Sequence, residues 1–234
     1  MNTINKEISE NMLKSNTSLV GIVCKDGIII GADRRTTAGN LVVNKTKQKI
    51  KKVTDNIIAA YTGSVSDLEL SNKILAAELR LKELKTKSRP TIKEAAHLLA
   101  LTTYRNIRTP SMVPSMVGTL IGGVDENGEL ALFTIEPAGS VMEVEDYDAN
   151  FSSGMPYILG LLERQYKKDI TVKEGIELAK ECLKSSTQRD IGSGNGIDVY
   201  SITKDGVKHV VSEEIVPQYK WILTIQNGWY PKDY

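Results

Sequence analysis

Only two histidines, His97 and His209, occur in the 234-residue chain, and neither stands at ligand spacing from a cysteine, aspartate or glutamate. A histidine-dependent triad or a multi-histidine metal site would have to use one of them, so any hydrolytic chemistry here rests on something other than imidazole. His97, in EAAHLLAL, reads as a packed or surface helix residue. The remaining clusters able to do chemistry are Asp33-Arg34-Arg35, the run KTKQKIKK that contains Lys49, Thr62-Gly63-Ser64, and Arg189-Asp190-Ile191-Gly192-Ser193-Gly194. A hydroxyl nucleophile needs a base. Without imidazole the available bases are a lysine amine or the α-amino group of an N-terminal residue, whose free pKa of about 8 suits neutral pH. Taken alone, the charge runs read as solvated faces and Gly63 as an ordinary turn glycine.

The elements that must position these residues follow from periodicity. SLVGIVCKDGIIIGADRRTT predicts a β-hairpin: Val20, Ile22 and Cys24 alternate, Lys25-Asp26-Gly27 turns, and Ile28–Ala32 is a buried run. A second hairpin is expected from about Leu41 to Tyr61, turning at Thr54-Asp55-Asn56 and ending at Thr62-Gly63-Ser64, where a helix starts. Ser66 or Asp67 can cap that helix, whose apolar positions Leu70, Ile74, Ala77, Leu81 and Leu84 step at three and four. Pro90 ends it, and Thr91-x-x-Glu94 is a capping-box pattern opening a second helix through Leu98, Leu101 and Ile107. Strands fill Met116 to Val144 around an Asn127-Gly128 turn. Helices follow at Met155–Tyr166 and, after Thr171-x-x-Glu174, to about Thr187; a last hairpin turns at Asp205-Gly206. Hairpins separated by paired helices predict one α+β domain with two antiparallel sheets sandwiched between helix layers.

Composition narrows the function classes. Thirty basic residues against 29 acidic give a net charge of +1, which offers no electrostatic case for a nucleic-acid or membrane partner. Hydrophobic residues make up 41% and charged ones 25%, as expected of a globular chain with a real core. Two cysteines, Cys24 and Cys182, exclude a disulfide framework and fit a reducing cytoplasm. There is no apolar run of spanning length, and the polar N-terminus MNTINKEISENMLKSN lacks the core of a signal peptide. The tail from Pro217 to Tyr234 lies beyond the last hairpin, and its Trp221, Trp229 and Tyr230 suit either docking or packing on the chain itself.

TSLVGIVCKDG, GADRRTTAGNLV, KQKI, TGSVSD and RDIGSGNGIDV, in that order and spacing from Thr17 to about Thr203, resemble the β subunits of archaeal and eukaryotic proteasomes. The resemblance implies the four-layer αββα sandwich of N-terminal-nucleophile hydrolases and a threonine-type endopeptidase activity. It further implies a propeptide of residues 1–16, a catalytic domain over 17–216 and a C-terminal extension over 217–234. Cleavage between Asn16 and Thr17 would put nucleophile and amine on one residue, which answers the missing histidine. The resemblance places Lys49 beside the Thr17 hydroxyl and Asp33 beside Lys49, with cross-strand pairing expected to join those two. Gly63 would supply an oxyanion-hole N–H, while Asp190, Ser193 and Ser153 would hold the new α-amine. Thr36, Tyr61 and Val65 would line the primary substrate pocket, which Tyr61 would make shallow; a strand residue at that position could equally turn into the core. No cofactor or metal is implied. The implied partners are other β subunits in a seven-membered ring, rings of α subunits, and unfolded protein as substrate.

The chain departs from the family pattern in places. Asn16 stands where active members have glycine, Ser18-Leu19 replaces the usual threonines, and Ser152 adds a Cβ to a loop of alternating glycine and serine. Asp198, in GIDV, is expected to begin a strand rather than join the chemistry. Two other readings stay open at this point: a structural ring subunit that assembles without cutting, favoured by Asn16, and a small-amide hydrolase of the same fold.

Overall fold

In the computed structural model, residues 14–111 and 115–215 are described, with backbone alone for Lys14 and Ser15. The strands are β1 (Lys14–Ser15), β2 (Leu19–Cys24), β3 (Gly27–Asp33), β4 (Thr36–Ala38), β5 (Leu41–Asn44), β6 (Ile50–Lys52), β7 (Ile57–Ser64), β8 (Val117–Val124), β9 (Leu130–Ile135), β10 (Val141–Glu143), β11 (Tyr147–Asp148), β12 (Gly196–Thr203) and β13 (Gly206–Glu214). The helices are α1 (Val65–Thr86), α2 (Ile92–Arg108), α3 (Met155–Gln165) and α4 (Val172–Thr187).

One antiparallel sheet runs β1-β7-β8-β9-β10, with β6 also on β7, and the other runs β11-β2-β3-β12-β13. Strand alternation sorts their side chains into three apolar layers. Ile57, Ala59 and Tyr61 of β7 face Leu68, Leu75 and Leu79 of α1 and Ile92, Ala96 and Leu99 of α2. Ile58 and Ala60 face the other way, meeting Leu19, Ile28, Ile30 and Ala32 between the sheets. Val20, Ile22 and Ile29 turn outward onto Ile158 and Leu162 of α3 and Ala179 and Leu183 of α4. Because both sheets are covered on both faces, the architecture is the expected four-layer αββα sandwich.

Local chemistry sets the boundaries. Both capping boxes form: the Thr91 hydroxyl accepts from the Glu94 N–H while the Glu94 carboxylate accepts from the Thr91 N–H, and Thr171 and Glu174 do the same. Three expectations need correction. The second hairpin is β6–β7 alone, since β5 turns back onto β4 in a separate two-stranded ribbon. Helix α1 starts directly from β7 with Ser64 at its N-cap, so Asp67 sits inside the first turn rather than capping it. The stripe Leu70, Ile74, Leu81 and Leu84 is exposed, whereas Leu68, Ser71, Leu75 and Leu79 are buried. Leucines lie on both sides of α1, so spacing alone could not choose the face that meets the sheet.

Leu75 is 2% exposed and Leu81 44%. Leu75→Ala should therefore lower the stability of the isolated chain by about 2–5 kcal/mol. Leu81→Ala should stay within about 0.5 kcal/mol. Urea unfolding of the two variants distinguishes the faces.

Candidate active site

Asp33 ends β3 and is fully buried. Its Oδ1 accepts from Lys49 Nζ at 2.6 Å and from the Ser18 N–H at 2.9 Å; its Oδ2 accepts from the Arg35 and Gly194 N–H groups, each at 2.9 Å. Lys49 leads into β6, on the other sheet, and its backbone carbonyl accepts from the Tyr61 N–H. The expected cross-strand pairing is thus corrected: the ion pair bridges the two sheets. Burial drives the Lys49 pKa below the ordinary lysine value, and the Asp33 charge opposes that shift.

Lys49 Nζ also donates to the carbonyl oxygen of Asn16 at 3.1 Å, the carbonyl of the peptide bond before Thr17. On the other side of this bond the Thr17 N–H donates to Ser153 Oγ at 2.9 Å. The Ser153 hydroxyl in turn donates to Asp190 Oδ2 at 2.6 Å, and Ser193 Oγ donates to the same oxygen. A carboxylate only accepts, so its place at the end of the chain orients the remaining hydroxyls. Ser193 gives its proton to Asp190, Ser18 gives its own to Ser193 at 2.7 Å, and Ser186 donates to Ser18.

The chain just before Thr17 is also held. Strand β1 pairs antiparallel with the end of β7, Lys14 opposite Ser64 and Ser15 opposite Gly63, and it also lies against β4. Gly63 has φ +110°, and a Cβ there would fall 2.0 Å from the Met116 carbonyl oxygen. No other residue type fits that point without moving β8.

Thr17, Asp33, Lys49, Ser153, Asp190 and Ser193 therefore converge around one peptide bond, with Gly63 on the strand edge beside it. The three pocket candidates divide. Val65, the first residue of α1, is half-buried. Thr36 is buried, and its hydroxyl has no hydrogen-bond partner among the described residues. Tyr61 has no exposed surface: its ring lies in the layer under α1 and α2, and its hydroxyl donates to Asn72 at 2.9 Å. Burial raises its phenol pKa. Its side chain has thus turned into the core, the alternative that alternation left open.

Ser18 and Ser186 join the hydroxyl chain without any sequence signal, because a serine beside Thr17 and one on α4 become neighbours only in the fold. Arg35 was missed as well; it ties the Asp190 loop down through Ile191 O and Asn195 Oδ1, each at 2.9 Å. Ser152, expected to disturb its loop, is buried and donates to Ala149 O at 2.7 Å. Asp198 lies within β12, bonded by the Arg34 guanidinium and by His209, whose ring stacks on Tyr200. His97 is exposed on α2.

A family model described as "Proteasome subunit" matches residues 13–202. The chain is 39% identical to a proteasome subunit beta of Nanoarchaeum equitans, over 84% of this chain and 98% of that protein. It is 35% identical to the proteasome subunit beta of Archaeoglobus profundus, over 89% and 94% of the two chains. The corresponding figures for Methanobrevibacter ruminantium are 38%, 85% and 91%.

The two partners of the buried ion pair differ in what they leave behind. Removing Lys49 leaves Asp33 with three backbone N–H donors, whereas removing Asp33 leaves those three N–H groups and the Lys49 amine without their shared acceptor. Asp33→Ala should cost about 3–5 kcal/mol of stability. Lys49→Met should cost clearly less, a ranking that denaturant titration of both variants checks.

Proposed function

The chain belongs to the proteasome subunit family, and on that premise we propose that it is a catalytic β subunit, a threonine-type endopeptidase whose nucleophile is the Thr17 hydroxyl. The observation that carries the reading is the grip on the peptide bond before Thr17, with Lys49 on its carbonyl oxygen and Ser153 on its N–H. Activation begins when neutral Lys49 takes the Thr17 hydroxyl proton and Oγ attacks the Asn16 carbonyl carbon. Burial favours that neutral amine, since it disfavours the ammonium. The Gly63 N–H is the proposed donor to the developing oxyanion. Breaking the C–N bond, with the proton held by Lys49 passing to the departing nitrogen, leaves Asn16 as an ester on Thr17 Oγ and frees the α-amine; water then releases residues 1–16 as a carboxylate and restores the hydroxyl.

The freed amine inherits a prepared set of acceptors, Ser153 and behind it Asp190 and Ser193. With a free pKa of about 8, it can deliver water to the acyl-enzyme formed on a substrate peptide. Thr36 and Val65 remain the proposed pocket residues. Seven-membered β rings between α rings, unfolded protein as substrate, and a cytoplasmic location complete the proposal. Both cysteines are buried free thiols, which fits a reducing compartment. No helix among the described residues is long and apolar enough to cross a membrane.

Co-expression with an α subunit, followed by particle sizing and intact-mass measurement, tests the proposal: the assembled chain should begin at Thr17 and hydrolyse peptides. Retention of residues 1–16 in a full particle would mark a structural subunit, and a small monomeric hydrolase would mark the amide-cleaving alternative. Lys49→Ala should slow both self-cleavage and peptide hydrolysis by about two to four orders of magnitude. The pH profile has a definite sign. In the uncut chain Thr17 carries an amide rather than an amine, so self-cleavage should rise with pH along one limb set by Lys49. Its midpoint should fall below the ordinary lysine value because burial favours the deprotonated form.

A further inference from the structure

Asn16 is the residue that most sets this chain apart from the self-processing pattern, and the structure supplies a counterpart for it. Its backbone does not use the left-handed region: the described non-glycine residues with positive φ are Lys87, Asn150 and Asn195. What Asn16 requires in the uncut chain is room for its side chain rather than glycine-like backbone freedom. That room lies over Gly192, which is buried. A Cβ built on Gly192 would fall 1.8 Å from Asn16 Cβ and 2.7 Å from both Cγ and Nδ2.

Neither side of this contact can retreat easily. Asn16 is held at its carbonyl by Lys49, while the next residue is held by Ser153 and the preceding one is paired with Gly63. Gly192 donates its N–H to Asp190 Oδ1 at 3.1 Å, and Arg35 holds the neighbouring Ile191 carbonyl. The nearest conflict is with Asn16 Cβ, which is tied to the backbone and cannot swing aside as a side-chain tip can.

We infer that Gly192 is a positioning residue for self-cleavage, the site that admits a side chain at position 16 while the Asn16 carbonyl stays on Lys49. This assignment rests on the proposed self-processing of the Asn16–Thr17 bond. It makes the two positions a steric pair in which one member carries a side chain and the other must not.

The test is a double-mutant cycle on the full chain, co-assembled with its α subunit, reading the rate of loss of residues 1–16 by intact mass. Gly192→Ala should slow that loss by about ten- to a hundredfold, the range that overpacking a tight contact implies. Combining it with Asn16→Gly should bring the rate back to within about twofold of Asn16→Gly alone. Combining it with Asn16→Ala should not, because alanine keeps the Cβ that collides. Equal slowing in the asparagine and glycine backgrounds, rescue by alanine as well as glycine, or no slowing by Gly192→Ala would each overturn the assignment to Gly192 alone. An unsubstituted chain that keeps residues 1–16 in the assembled particle would instead overturn the self-cleavage reading, and the assignment with it.

Discussion

The buried carboxylate of Asp33 is the constraint on which the rest of the site depends. A single ionised group in the interior must collect donors wherever the chain can supply them. Asp33 draws them from four separate segments: the residue after Thr17, the start of the Arg35 turn, the Gly194 loop and, across the gap between sheets, Lys49. Satisfying one side chain therefore fixes Thr17, the loop that carries Asp190 and Ser193, and Lys49 relative to one another. The lysine is held by a charge it cannot leave, in surroundings that disfavour its own. The result is an amine that stays in place yet gives up its proton more readily than an exposed one.

Much of the fold was legible in advance because local rules and tertiary structure agree. The hairpin β2–β3, both capping boxes and the final hairpin are written in turn residues and caps that act within a few positions. The errors arise where a segment is apolar on two sides. Helix α1 has leucines on opposite faces, and β7 is covered above and below, so periodicity leaves both the α1 face and the direction of Tyr61 undetermined. The ribbon β4–β5 went unseen because Leu41–Asn44 reads equally well as a continuation towards β6.

The site divides along similar lines. Thr17, Asp33, Lys49, Gly63, Asp190 and Ser193 sit in recognisable strings, although spacing alone could not tell Asp33 and Lys49 from surface charges. The contributions of Ser18, Ser186 and Arg35 come from proximity created by folding, across as many as 168 positions for the two serines. The Asn16–Gly192 contact belongs to the same class. Asn16 is a departure from the family pattern in sequence and a packing question in three dimensions.

The pairing of Lys14 and Ser15 with the end of β7 has a consequence for the life of the newly made subunit. Open strand edges are templates for unwanted association, and extended polypeptide is what a peptide-cleaving groove must attract. Here this stretch of edge is already laddered to the chain's own Lys14 and Ser15 and is not offered to a stranger. On the proposed processing, their release would convert a guarded margin into a receptive one without refolding the sheet. On the same proposal, colloidal safety before assembly and affinity for extended polypeptide afterwards draw on the same few backbone groups at different times.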